Sequence, residues 1–102
     1  MKKHTFYSLV YGGKNGPIIK KWDGYTDGRY NYYKNEYSKW YAIEPTTGLS
    51  VINYRNTRKE CEIAANAPGI IEKVKNAIKT DMQLRFNNLV AEAMAEELQK
   101  CS

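Results

Sequence analysis

Alternating apolar and polar positions predict strands near the start of the chain. Side chains from Thr5 to Tyr11 alternate between two faces, the period expected of a half-buried strand. Gly12–Gly16 is rich in glycine and asparagine, which accept positive φ, and so predicts a turn. The chain then returns over residues 17–22, where Pro17 suits the first residue of a strand because it lacks an amide donor. The first unit is therefore a predicted hairpin.

A second hairpin is predicted further along. Residues 40–44 and 49–54 are rich in Trp, Tyr, Ile and Val, which favour strands. Between them, Pro45 can set the φ of a turn and Gly48 can take its left-handed position. The segment 23–34 carries two Asp-Gly pairs, so it could be a long loop or a further short strand.

Helical spacing replaces alternation after residue 55. The spacing of Thr57 and Glu60 fits a capping box at the start of a helix. The segment Asn66–Gly69 ends that helix, because the segment contains Pro68. From residue 70 to residue 100, one apolar stripe recurs in steps of three and four. The stripe contains Ile71, Val74, Ile78, Met82, Phe86, Leu89, Val90, Ala93, Met94 and Leu98. We expect this stripe to be buried against the sheet. It lies on one helix, or on two if Thr80 caps the start of a new helix. Alternatively, the stripe could form the seam of a homodimer.

These patterns predict an α+β fold within a single domain, residues 1–102. An antiparallel sheet of three to five strands occupies residues 4–54, and two or three helices in residues 57–100 pack on one of its faces. Twelve of the 13 aromatic residues lie in the strand half. That half is also basic: residues 1–59 carry 11 basic and 4 acidic groups, a net of +7, within a chain of net charge +5.

The residues offer little to a catalytic mechanism. The chain has one histidine, His4, and two cysteines, Cys61 and Cys101, with no CxxC or comparable spacing. Asp23 and Asp27 could contribute to a calcium site, but the glycine that follows each of them favours a turn. The Gly12–Gly16 segment lacks the spacing of a phosphate-binding loop. We therefore expect no enzyme, with no catalytic residue, no metal site and no cofactor.

No apolar run reaches the length of about 18 residues that a membrane span requires. The apolar stretch after Met1–Thr5 is short and contains polar residues, unlike a secretory signal. We therefore expect a cytoplasmic protein without a membrane partner. Free thiols, rather than a disulfide, are expected in that compartment.

The most conspicuous segment, residues 29–41, interleaves aromatic and basic side chains. Such a composition suits a protein interface, where Tyr, Trp and Arg are enriched. It also suits a nucleic-acid platform, where rings stack on bases and cations neutralise phosphates. A third interpretation places half of the rings in the core. The residues expected to contact a partner are Arg29, Tyr30, Tyr32, Tyr33, Lys34, Tyr37, Lys39, Trp40 and Tyr41.

Two resemblances bear on function. The residues Phe6–Gly12, Gly16–Ile18 and Trp22, with Tyr54–Glu60 later, are similar to parts of the viroplasmin-like domain. That resemblance implies binding to duplexes that contain RNA. It covers about a third of the chain, and the middle differs, because turns and a second hairpin stand where that family has a helix.

In size and α+β character, the chain also resembles small accessory proteins of phages and plasmids, including anti-CRISPR inhibitors. The stretch of residues 40–49, followed by Thr57–Glu60, is similar to stretches in such proteins. The resemblance implies a stoichiometric inhibitor of a host protein or ribonucleoprotein complex. Because this chain is basic, we expect it to cover a protein surface or capture a guide strand, and not to mimic DNA. The alternative function is a nucleic-acid-binding module that uses the tyrosine-rich sheet.

Overall fold

The first half of the chain forms a five-stranded antiparallel sheet and the second half forms three helices, as predicted. The computed structural model describes residues 1–11 and 16–101. The strands are β1 (Lys2–Tyr11), β2 (Pro17–Thr26), β3 (Asn31–Lys34), β4 (Trp40–Ile43) and β5 (Ser50–Arg55); the helices are α1 (Arg58–Ala65), α2 (Pro68–Ala77) and α3 (Thr80–Cys101). The ambiguous segment 23–34 thus extends β2, makes a turn and then supplies β3. Residues 12–15 of the first predicted turn lie outside the described part.

The strands pair in chain order, so β1 and β5 are the edges of the sheet. The sheet is curled, because the rings of Phe6 on β1 and Tyr33 on β3 have their centroids 6.3 Å apart although β2 lies between them. Adjacent strands are about 4.8 Å apart, so β1 and β3 would be about 10 Å apart in a flat sheet. The Leu9 amide also donates to the Gly48 carbonyl over 2.9 Å, which ties β1 to the turn between β4 and β5.

The two faces of the sheet have different cores. The first core packs α1 against β3, β4 and β5 and contains Tyr30, Tyr32, Ala42, Ile52, Cys61 and Ala65. The second contains Phe6, Tyr33 and Ile43. Tyr32 and Tyr33 are neighbours in the chain but belong to different cores, because successive side chains on a strand point to opposite faces.

The helices begin and end where capping chemistry and proline require. The Thr57 side chain accepts a hydrogen bond from the Glu60 amide over 3.1 Å, which confirms the predicted N-cap of α1. Pro68 is the first residue of α2, a position where its missing amide hydrogen costs nothing. Ile78 is extended, with ψ 128°, and ends α2. The alternative of two helices, with a fresh start at Thr80, is therefore the one observed.

Thr57→Ala is expected to cost about 1 kcal/mol of folding free energy, because the Glu60 amide loses its acceptor at the start of α1. Urea unfolding followed by circular dichroism measures the difference. Thr57→Ser is the matched control, since it keeps the hydroxyl oxygen and should unfold within a few tenths of a kcal/mol of wild type. Equal losses in both variants would show that the cap contributes nothing.

The helix α3 crosses from the turn between β4 and β5 to the β1–β2 hairpin. At its start, Gln83 Nε2 donates to Thr46 Oγ1 over 3.0 Å. Near its end, the Glu97 carboxylate accepts from Tyr7 Oη over 3.2 Å and pairs with Lys21 Nζ at 3.3 Å. Tyr7 and Lys21 point away from their neighbours Phe6 and Trp22, so α3 packs on the same side of the sheet as α1.

The prediction that the whole apolar stripe is buried is wrong. Within it Phe86 is buried, whereas Met94 and Leu98 are more than half exposed. The reason is geometric: each residue advances a helix by about 100°, so Leu98 lies about 120° around the axis from Phe86. A helix lying on one sheet buries a narrower stripe than this.

Candidate interaction surface

The loop between β3 and β4 has a hydrogen-bonded backbone with an exposed tyrosine at its tip. The Asn35 side-chain oxygen accepts hydrogen bonds from the amides of Tyr37, at 3.0 Å, and Lys39, at 2.9 Å. The Asn35 amide itself donates to the Lys39 carbonyl over 2.9 Å, and Ser38 takes a left-handed φ of 59°. Tyr37 stands at the tip of this tight loop with 68% of its surface exposed.

Three stacked rings and a fourth that meets them edge-on lie in a row across the sheet. This aromatic ladder consists of Trp22, Tyr33, Tyr41 and Tyr54. The ring centroids of Trp22 and Tyr33 are 3.8 Å apart and those of Tyr33 and Tyr41 are 5.1 Å apart, with planes within 11° and 5° of parallel. Tyr54 then meets Tyr41 edge-on at 6.1 Å. Both faces of the Tyr33 ring are therefore covered.

The buried end of the aromatic ladder is held by polar contacts at its rim. Trp22 Nε1 donates to Ser8 Oγ over 2.9 Å, and Lys20 Nζ lies 4.5 Å from the centre of the Trp22 ring, within the range of a cation–π interaction. Burial, with a smaller contribution from Tyr41, raises the pKa of Tyr33 to about 12. The Tyr33 hydroxyl therefore stays protonated, and the ladder forms a rigid support for Tyr54.

A bulge in β5 turns Tyr54 outward. Trp40 pairs with Arg55 and Ala42 pairs with Ile52, so β5 has one residue more than β4 between these pairs. Tyr54 has a φ of 62°, which costs a non-glycine residue about 1–2 kcal/mol. Its side chain is nevertheless 59% exposed. Backbone strain at an exposed aromatic residue is more common at functional sites than elsewhere.

Basic side chains lie at the same end of the sheet. Lys34 and Arg55 pair with Trp40 on either side and therefore share its helix-side face, while Lys39 Nζ donates to Asn56 Oδ1. We call the exposed end of the sheet that these residues form the hairpin-end surface. It comprises Lys34, Tyr37, Lys39, Tyr41, Tyr54 and Arg55.

The structure divides the nine residues that the sequence suggested for partner contact. Tyr30, Tyr32 and Tyr33 are buried and offer no surface in this conformation. Arg29 lies at the opposite end of β3, where its guanidinium donates to Asn66. Trp40 packs on the helix side of the sheet, 6.1 Å from the Tyr25 ring. Lys34, Tyr37, Lys39 and Tyr41 are brought together.

Sequence reasoning missed Tyr54, Trp22 and Lys20. Trp22 could have been paired with Tyr33 only from the strand register, which no local pattern specifies. Tyr54 lay within a predicted strand, but the bulge that exposes it leaves no mark in the sequence. Its signal would have been an alternation that slips by one residue between Ile52 and Arg55.

The groups considered for metal binding are dispersed. Among residues 1–11 and 16–101, no three His, Cys, Asp or Glu side chains are placed to hold a metal ion. The Asp27 carboxylate accepts from the Arg29 and Tyr30 amides, which confirms its role in a turn. Cys61 is a free, buried thiol, and burial raises its pKa to about 11.

Comparisons with protein-family models, with curated proteins and with solved structures found no match to this chain. In the described part of the chain, none of the helices has the length and apolar character needed to cross a membrane. The candidate site therefore depends on the geometry of the hairpin-end surface.

Proposed function

We propose that this chain is a small, non-catalytic binding protein that occupies the surface of a protein partner through its hairpin-end surface. The observation that carries the proposal is the placement of Tyr37 and Tyr54. Both are exposed by more than half; the Asn35 turn holds the backbone of Tyr37, and the ring of Tyr54 meets Tyr41 edge-on. Exposed tyrosines have few rotatable bonds and so lose little conformational entropy on binding, which is why they dominate many protein interfaces.

The stacking within the aromatic ladder leaves no slot in which a base could insert between two of its rings. Stacked bases lie about 3.4 Å from their neighbours, so a base between two rings needs a gap of about 7 Å. The spacings of 3.8 Å and 5.1 Å around Tyr33 leave no such gap. The exposed rings of Tyr37 and Tyr54, each with a hydroxyl group, suit the mixed polar and apolar contacts of a protein interface.

The partner class that we propose is a host nucleic-acid-handling complex, such as a CRISPR effector, inhibited by stoichiometric occupation. The net charge of +5 and the cations Lys34, Lys39 and Arg55 support an acidic protein surface in such a complex. Complementary charge at the edge of an interface accelerates association more than it strengthens the final complex.

The test is capture from a bacterial lysate on immobilised protein, followed by affinity measurement with the purified partner. We expect one protein complex that survives nuclease treatment. Truncating both tyrosines (Tyr37→Ala with Tyr54→Ala) should weaken binding by roughly 1,000-fold if the two effects add, since each central aromatic contributes about 2 kcal/mol.

Ile63→Ala is the matched control, because Ile63 is 65% exposed but lies on α1, away from the hairpin-end surface. It should bind as wild type does. Recovery of bulk nucleic acid alone, with a steep loss of binding as salt rises, would contradict the proposal. So would undiminished capture by the double tyrosine variant, once circular dichroism shows that it is folded.

A further inference from the structure

A cleft of about 320 Å³ lies between α2 and the edge of the sheet formed by β5 and the turn before it. None of the residues of α2 is buried, because the apolar side of this helix faces the cleft and does not close onto the sheet. Small-molecule sites are typically concave and lined by apolar side chains with a few polar groups. The apolar side chains that line this cleft include Leu49, Val51, Ile70, Val74, Ala77 and Met82.

The unpaired charge in the lining of the cleft is positive. Lys73 and Glu44 both line it, but their surroundings differ. Glu44 is buried, and its carboxylate accepts hydrogen bonds from the amides of Thr46 and Thr47 over 2.9 and 3.0 Å, so it is held within the turn between β4 and β5. In the described part of the chain, the one ion pair joins Lys21 to Glu97, which leaves Lys73 without an anionic partner.

We propose that this cleft binds a medium-chain aliphatic carboxylate, whose chain lies between α2 and β5 and whose carboxylate pairs with Lys73 Nζ. A water molecule takes up about 30 Å³ of the liquid, and a methylene group is similar in size. The cleft of about 320 Å³ therefore holds about ten non-hydrogen atoms, which is the size of octanoate. The inference is independent of the proposed function, because the hairpin-end surface shares no residue with the cleft.

Isothermal titration calorimetry of the full chain tests the class of ligand, with sodium octanoate, sodium butanoate and octylamine hydrochloride as the probes. Octanoate should bind saturably at one site. Butanoate should bind at least about tenfold more weakly, since each methylene that it lacks contributes about fourfold in affinity. Octylammonium should also bind about tenfold more weakly, because it loses a charged hydrogen bond to Lys73. No saturable binding of octanoate, or equal binding of either other probe, overturns the proposal.

Charge reversal tests the role of Lys73. Lys73→Glu should weaken octanoate binding by about tenfold or more, because it replaces an attractive contact with a repulsive one. Lys75→Glu is the matched control: Lys75 is an exposed lysine on the same helix, so the variant has the same net charge. It should bind octanoate as wild type does. Equal losses in the two variants would show that octanoate responds only to the overall charge and would overturn the site.

Filling the cleft tests where the aliphatic chain lies. Ala77→Phe places a ring among the lining side chains and should abolish octanoate binding, whereas Asn76→Phe adds the same ring at an exposed position of α2 and should not change it. Circular dichroism checks that both variants are folded. If Ala77→Phe does not fold, the comparison of the Lys73 and Lys75 variants decides, since both side chains are exposed. Undiminished binding by folded Ala77→Phe overturns the proposal.

Discussion

Gly48→Ala is expected to destabilise this protein far more than Gly28→Ala, although both glycines have a left-handed φ, of 69° and 90°. Each replacement incurs a backbone cost of about 1–2 kcal/mol. At Gly48, however, a methyl group would lie 2.2 Å from the Phe86 ring, whereas at Gly28 nothing lies within 4 Å. Overpacking should add about 1–3 kcal/mol at Gly48 alone. Urea unfolding of the two variants measures the difference.

The same contact makes a double-mutant cycle informative. Phe86 is 5% exposed, so Phe86→Ala alone should cost about 3–5 kcal/mol through the cavity that it leaves. In the double variant that cavity accommodates the methyl group that Gly48→Ala introduces, and the loss should fall short of the sum of the single losses by at least about 0.5 kcal/mol. Strict additivity would show that the ring does not lie against Gly48, and that α3 is not anchored there.

The second large effect is expected at Asp27, whose carboxylate connects the β2–β3 turn to α1. It accepts from the Arg29 and Tyr30 amides, from the Tyr32 hydroxyl at 2.6 Å and from Asn66 Nδ2 at 3.0 Å. Asp27→Ala should cost about 3 kcal/mol or more, because hydrogen bonds to a charged group contribute about 1.5–3 kcal/mol and the Tyr32 hydroxyl is left buried. Urea unfolding at neutral pH measures this loss.

Asp23→Asn is the control for Asp27. Asp23 is exposed, and its carboxylate accepts a hydrogen bond, at 2.9 Å, from Thr5 Oγ1. We expect it to change the unfolding free energy by less than about 1 kcal/mol. A loss at Asp27 as small as that at Asp23 would mean that the turn does not depend on this carboxylate.

The pH dependence of stability should follow from the same group. Burial alone would raise the pKa of Asp27, but the hydrogen bonds from Tyr30, Tyr32, Asn66 and Arg29 outweigh it and hold the pKa below its ordinary value of 3.8. The folded state therefore favours the ionised form. This contribution is complete above the unfolded pKa of about 3.9 and is lost as pH falls through the folded pKa. In the Asp27→Asn variant, the unfolding free energy should therefore fall less steeply as pH drops below about 4 than it does in wild type. The same pH dependence in both proteins would contradict this.

Several elements could be predicted because their causes lie within a few residues. Thr57 caps α1 through an amide three positions away, and Pro68 ends one helix and begins the next for reasons of covalent geometry. A strand over Thr5–Tyr11 and a helix around Phe86 could also be predicted, because burial of one face of an element is enough to produce its hydrophobic period. The hairpin ending at Gly48 was likewise visible, since the turn requires a residue that accepts positive φ.

The candidate site depends on contacts that the chain order does not reveal. The segment 29–41 was recognisable as aromatic and basic, yet its composition could not say that Tyr32 faces α1 while Tyr33 joins the aromatic ladder. That division follows from the register of β3 between β2 and β4, and a slip by one residue would exchange the two sides. Tyr54 entered the hairpin-end surface only through the extra residue in β5.

The sequence by itself determined the fold class, the succession of a strand half and a helical half, the cap of α1 and the basic, aromatic character of the strand half. These depend on local periodicity, turn chemistry and composition. The tertiary structure alone decided which tyrosines are buried, how the sheet curls to bring β1 to the turn between β4 and β5, and which side of α3 remains exposed. Each of these outcomes depends on strand register or on the rotation of a helix about its axis, and both are set by packing between residues that are distant in the chain.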